Sequence, residues 1–267
     1  MAPTFEIAGG TVTGQAHVAA GRNNQDAFSW ETTGAGIVAV VCDGCGSSPH
    51  SEVGAKLGAQ LVTRAVARRL GSDCDPAELL EQVRLEVLGR LRRLAIGLAG
   101  DRPASSGGAP FTRAVLDYLL FTVVGALVTP RWAATFSLGD GLAILNGERL
   151  QLGPYPENEP PYLAYALLPG SAGERPFQLL RQVPADEARS LLLATDGAVE
   201  LEPLAARVAD GGGEPFGPLS QFWTEDRFFA NRDMVRRRLT VLSRGSRGGL
   251  LPDDTTVVAV RRKGEPS

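Results

Sequence analysis

Acidic residues recur in this chain where apolar runs stop, usually beside a glycine. Asp43-Gly44 follows IVAVVC, Asp140-Gly141 follows FSLG, Asp196-Gly197 follows LLLAT, and Asp253-Asp254 precedes TTVVAV. One Asp-Gly pair is ordinary turn chemistry. Four at the ends of strand-like runs differ, because carboxylates gathered on one rim repel and raise one another's pKa unless cations neutralise them. Oxygen-only donors select hard ions, so Mg²⁺ or Mn²⁺ is expected rather than zinc, and a chain with only two histidines, His17 and His50, favours the same choice. Two such ions about 3.5 to 4 Å apart can share a water, lower its pKa toward neutrality and hold it in line with a phosphorus atom. The pattern points to hydrolysis of a phosphate ester. Gly44 adds to it, because a residue without a side chain lets its carbonyl approach a metal.

Strands must carry these carboxylates. Apolar runs rich in β-branched residues predict strands at 37–42, 119–128, 132–138, 142–145, 191–194 and 256–260. Asn146-Gly147 between two short apolar segments predicts a tight antiparallel hairpin over 142–152. Helical spacing of Val53, Leu57, Leu61, Ala65 and Val66 predicts a helix starting at Ser51. Leu79, Leu80, Val83, Val87, Leu91, Leu94 and Leu98 predict a second after Asp75-Pro76, and a third is expected over 232–242. Residues 100–110 read as a flexible connector and 153–174 as a proline-rich loop. This order is that of an α+β domain rather than a parallel βαβ one. Two packed sheets with helices outside would cover every apolar face, although pattern alone does not force that arrangement.

The 267 residues, without a dividing linker, are expected to form one domain over 1–267. Hydrophobic residues at 43% and charged residues at 21% are ordinary for a globular chain, and a net charge of -3 argues against a nucleic-acid partner. No apolar stretch approaches a membrane span, and the start MAPTFEIAGG has no leader pattern. Three cysteines, Cys42, Cys45 and Cys74, suit a reducing, cytoplasmic compartment. The Cys42-x-x-Cys45 spacing lacks the further ligands of a zinc knuckle and closes a strand rather than opening a redox helix.

The series Asn24-Gln25-Asp26-Ala27, Asp43-Gly44-Cys45-Gly46-Ser47 with Gly54-Ala55, Leu138-Gly139-Asp140-Gly141, Ala194-Thr195-Asp196-Gly197-Ala198 and Asp253-Asp254-Thr255-Thr256 resembles the ordered motif set of the protein phosphatase 2C family. It spans about residues 9 to 262. The resemblance implies two packed antiparallel β-sheets flanked by α-helices, with a binuclear Mg²⁺/Mn²⁺ site that hydrolyses phosphoserine and phosphothreonine in proteins. A phosphorylated protein substrate and a cognate serine/threonine kinase are the implied partners. By position, Asp43 resembles the carboxylate that bridges both ions and Gly44 the backbone oxygen beside it. Asp196 and Asp253 resemble the other ligands of the first ion, with Asp253 preferred to Asp254 because Thr256 fits the end of the closing motif. Asp26 resembles the acidic residue near the second ion. Asp140, Asp196 and Glu200 resemble a weaker third metal site, and on a helical turn Glu200 would share a face with Asp196.

Three departures stand out. Many members carry an arginine five residues before Asp26; here that position is Gly21, and Arg22 is the candidate for gripping substrate phosphate through its planar fork. Cys45 occupies the place of a histidine proposed as proton donor in eukaryotic members, and a thiol among carboxylates is expected to be harder to ionise. Gln25-Asp26 replaces a Glu-Asp pair, and with the compact link between 197 and 253 this suggests a bacterial-type variant. His17 reads either as a structural histidine or as an acid near the site, and His50 and Arg236-Arg237-Arg238 as surface. The rival reading is a catalytically silent, phosphatase-like domain that binds a phosphoprotein or regulatory partner. An aspartyl-phosphate enzyme is disfavoured, because position 45 is not an aspartate.

Overall fold

The strand Gly36–Asp43 (here β3) is apolar on both faces, and every residue from Ile37 to Cys42 is buried. A strand of this kind needs cover on two sides. In the computed structural model, which describes residues 4–71, 75–100, 108–153, 155–171, 176–206, 215–243 and 250–264, it has both. Ile37, Ala39 and Val41 face the second sheet, against Leu191, Leu193, Val258 and Val260. Val38, Val40 and Cys42 face the helices Ser51–Ala67 (α2) and Pro76–Leu98 (α3). The second sheet buries its outer face under the helix Met234–Ser243 (α7) and the short helices Gln221–Thr224 (α5) and Arg227–Ala230 (α6).

The architecture is the expected α+β sandwich of two five-stranded antiparallel sheets with helices outside. The first sheet runs β2 (Asp26–Thr33), β3, β4 (Val123–Val128), β5 (Trp132–Leu138), β8 (Gln178–Pro184). The second runs β1 (Phe5–Val12), β10 (Thr255–Arg262), β9 (Ser190–Ala194), β6 (Gly141–Leu145), β7 (Glu148–Leu152). The β6–β7 turn is the predicted tight hairpin: Asn146 and Gly147 take positive φ of 53° and 79°, which a primed turn requires. Among the described residues no helix is long and apolar enough to cross a membrane.

Several sequence expectations change. Strands β1, β2 and β8 were not anticipated; all three are sheet edges, and their mixed polar pattern hides the strand signal. The predicted strand over 119–128 starts only at Val123, because Leu119 caps the unanticipated helix Ala109–Tyr118 (α4). That helix takes the end of the supposed connector, whose residues 101–107, like Cys74, lie outside the described residues. The loop at 153–174 contains short 3-10 turns at Pro156–Asn158 and Leu163–Leu167. Ser51 is not the cap of α2: His50 is, and the Ser51 hydroxyl donates to Cys45 O at 2.9 Å. Asp75 does cap α3, accepting from Glu78 N at 3.0 Å.

Two glycines in α2 let the helix approach the segment that runs into β4. A Cβ at Gly54 would lie 2.2 Å from Tyr118 O, and one at Gly58 would lie 2.3 Å from the Phe121 ring. Phe121 in turn bridges to Gly44, so this close packing fixes the chain just past the end of β3.

Candidate active site

The site is built at the end of the sandwich where strands of both sheets stop. Asp43 closes β3 and is paired across the ladder with Asp26, which opens β2. Its carbonyl accepts from Thr122 N at 2.8 Å. Gly44 follows with its N–H on Gln25 O at 3.1 Å, and a Cβ there would come within 2.9 Å of that oxygen and of Ser51. Asp140 sits in the β5–β6 turn between Gly139 and Gly141, whose φ values of 97° and 128° exclude most side chains. Asp196 follows β9, and Asp253 precedes β10. The two turns are locked together: a Cβ at Gly197 would lie 2.1 Å from Asp254 O.

Asp43, Gly44, Asp140, Asp196 and Asp253 line one cleft of about 400 Å³. Burial, followed by the charges of Asp26, Asp196, Asp253 and Asp140, holds the Asp43 carboxyl well above its usual range. Asp196 is pushed up to about 6, first by burial and then by Asp140 and Asp253, against the Gly197 amide and a hydrogen bond with Asp43. Burial also raises Asp140. Asp26 is raised by burial more than the Thr195 hydroxyl, 2.7 Å from its Oδ2, can lower it.

Two buried oxygens here have no donor: Asp26 Oδ1 and Gln25 Oε1. The Gln25 amide cannot simply turn over. Its Nε2 donates to Ser51 Oγ at 2.5 Å and to Ser48 O at 3.3 Å, and the Ser51 proton is engaged by Cys45 O. Orphaned acceptors beside mutually repelling carboxylates fit a hard cation, and every donor in the set is oxygen. His17, Asp253 and Asp254 form a second acidic grouping, with one ligand atom from each within 4.8 Å of the others. Asp254 differs from its neighbour. Its Oδ1 accepts from Gly14 N at 2.8 Å and its Oδ2 from Gln25 N at 2.5 Å, whereas Asp253 is exposed.

The family model described as Protein phosphatase 2C matches residues 13–232. The chain belongs to the protein phosphatase 2C family. Solved structures with the same fold include the serine/threonine phosphatase Stp1 from Staphylococcus aureus, at 16% identity and a TM-score of 0.55, covering 99% of this chain and 97% of that one. The Mycobacterium tuberculosis serine/threonine phosphatase PstP aligns at 19% identity and a TM-score of 0.52 over 97% of this chain and 98% of that one. The catalytic domain of PstP in complex with two manganese ions aligns at 20% identity and a TM-score of 0.52, over 96% and 97%. No curated protein sequence matches the chain.

Within this phosphatase 2C chain, three expected site residues, Arg22, Glu200 and Asp26, do not line the cleft. Arg22 donates from Nη1 to Gly46 O at 2.9 Å and from Nη2 to Ser48 O at 2.8 Å, tying down the loop after Asp43, and it does not line the cleft. Glu200 is exposed and also absent from the lining. It lies in the 3-10 segment Asp196–Leu201, where a step of four residues turns the side chain by about 120° instead of restoring the face. Asp26 lies behind the cleft, fully buried.

The Cys45 expectation is overturned. Burial raises its thiol, but hydrogen bonds from the Ser47, Tyr162 and Ser48 hydroxyls and the Ser47 amide outweigh it, so the pKa is lowered. Sequence reading also missed Tyr162, whose hydroxyl is pushed up by burial and by its bond to Cys45. Thr195 was passed over as a partner for Asp26, although it directly precedes the Asp196-Gly197 pair.

Proposed function

We propose that this chain is a metal-dependent phosphatase that hydrolyses phosphoserine and phosphothreonine in proteins. The observation that carries the reading is the convergence of Asp43, Asp140, Asp196 and Asp253 from two sheets on one cleft, with Asp43 and Asp196 raised partly by their neighbours' charge. Family membership and the two manganese ions of the PstP catalytic domain support it.

In this reading Asp43, Asp196 and Asp253, with the Gly44 carbonyl, would hold a pair of Mg²⁺ or Mn²⁺ ions, and Asp26 would lie beside the second. Asp140 and Asp196, with Glu200 after rearrangement of its turn, would make a weaker third position. Such ions supply Lewis-acid chemistry: activation of a water and neutralisation of charge on the phosphoryl group. The chain's own residues orient and exclude. Thr195 fixes the Asp26 carboxyl by one oxygen only. Arg22 serves phosphate binding through the Gly46–Ser48 backbone that it ties down, since Gly46 and Ser47 line the cleft. We take residues 1–267 as one catalytic domain acting on a phosphoprotein made by a cognate serine/threonine kinase in the cytoplasm.

The test is turnover of p-nitrophenyl phosphate and a phosphothreonine peptide with Mn²⁺, then with EDTA. Turnover that EDTA abolishes is the expected result. One observation favours the rival, a silent phosphoprotein-binding domain: the Arg22 guanidinium is already occupied by two carbonyls. Metal-independent peptide binding without turnover would establish that rival.

A further inference from the structure

A helix packed on a sheet ordinarily turns a polar face to solvent. In α3 that face is interrupted. Besides its buried stripe from Leu79 to Ala95, the helix carries a second row of Leu85, Leu88, Arg92 and Ile96, at successive steps of three, four and four residues. Leu85 is 55% exposed and Ile96 44%. A single apolar side chain in water, such as Val18 on the short helix Gln15–Ala19 (α1), is ordinary surface. A row of them marks a face that something covers.

Leu85, Leu88 and Arg92 form one wall of a groove of about 480 Å³, completed by buried Phe111 of α4 and by the segment from Ala166 to Pro169. The groove shares no lining residue with the cleft, yet the two meet on one stretch of chain: Pro160 and Tyr162 line the cleft, Leu167 and Leu168 the groove. The backbone of the groove has little to offer a ligand. Leu168 N donates to Tyr165 O at 3.0 Å, and Leu168 O accepts from Ser171 N at 3.3 Å and from Ser171 Oγ at 2.9 Å. No strand lines it. An extended peptide laid there would leave its own N–H and C=O groups unpaired, whereas a helix satisfies them internally.

Arg92 adds a requirement for charge. Arg84 is held by Glu81, and Arg90 by Glu86, which also holds Arg68 and Arg69. Arg92 has no carboxylate partner among the described residues. The helix dipole does not account for it either, because that effect is confined to the last turn and Arg92 lies before the final turn ending at Leu98.

We propose that this groove docks an amphipathic helical segment of a partner protein, whose apolar face covers Leu85 and Leu88 and whose Asp or Glu pairs with Arg92. About two helical turns suffice, since the wall from Leu85 to Arg92 is roughly 10 Å long at the helical rise. Docking here is independent of the phosphatase reading, because it uses none of the cleft carboxylates.

The test is selection of unphosphorylated random peptides of about 16 residues, displayed on phage, against the full chain, with Leu85→Asp as counter-target. The enriched peptides are synthesised and their Kd measured by fluorescence anisotropy. They are expected to share apolar residues at i, i+3 or i+4, and i+7 beside one Asp or Glu, and to gain helical circular dichroism on binding. Leu85→Asp weakens them at least about 10-fold, and so does Arg92→Glu. A repeat selection against Arg92→Glu yields Lys or Arg where the acid stood. Both positions are exposed, so both variants keep the wild-type melting profile. Absence of any peptide that Leu85→Asp discriminates overturns the docking site, as does an acidic preference unchanged in Arg92→Glu. A concentration-dependent dimer of the chain that Leu85→Asp dissolves overturns it too, by giving the face to a second copy.

Discussion

Replacing Asp196 by Asn should stabilise the metal-free protein, and the effect should depend on pH in a defined sense. The Asp196 carboxyl is raised from 3.8 to about 6 by burial and by Asp140 and Asp253. Holding it ionised in the fold therefore costs on the order of 3 kcal/mol relative to the unfolded chain. Because the folded value is the higher one, the favourable contribution is fully present below 3.8 and is lost as pH rises through about 6. Asn is neutral throughout and escapes that loss. At about pH 8 in EDTA, Asp196→Asn should melt roughly 5 °C above the wild type, given the unfolding entropy of a chain this long. At about pH 4 the two should coincide, because the wild-type carboxyl is already protonated. Saturating Mn²⁺ should reverse the order at the higher pH. Scanning calorimetry at both pH values, with and without Mn²⁺, is the assay. A variant equal to or less stable than the wild type at about pH 8 in EDTA would refute the argument that like charge strains this cleft.

Asp43→Ala should abolish metal-dependent turnover while the far-UV circular dichroism stays native, because the lost carboxylate is the one most crowded by others. Near-normal turnover would remove Asp43 from the centre. Arg22→Ala should lower stability in urea by about 1 to 2 kcal/mol, since it frees two carbonyls of the loop after Asp43. The same variant should raise the KM for a phosphopeptide, and an unchanged value would separate that loop from phosphate binding.

The Asp43, Asp140, Asp196 and Asp253 positions were legible because each ends an apolar run that is itself a buried strand, so local pattern and site coincide. Strands β1, β2 and β8 were not, because an edge strand tolerates polar residues and close-approach glycines. At Gly10 in β1 a Cβ would lie 2.4 Å from Arg236 N, so the pattern there records the packing of α7 rather than strand propensity. Glu200 was linked to Asp196 by α-helical spacing, and the turn there is 3-10. Arg22 was a phosphate candidate by its residue type, and what it holds is backbone. The approach of His17 to Asp254 joins residues at opposite ends of the chain, and no local pattern reports such a contact.

Asp43 belongs to one sheet, while Asp196 and Asp253 flank strands of the other. A cation held by all three would act as a clasp between the sheets, much as a disulfide joins two chain segments. Its binding free energy would then reside in the closure of that end of the sandwich. Cation concentration would set how often the strand ends part, and amide exchange at Asp26, Asp43 and Thr195 would report it.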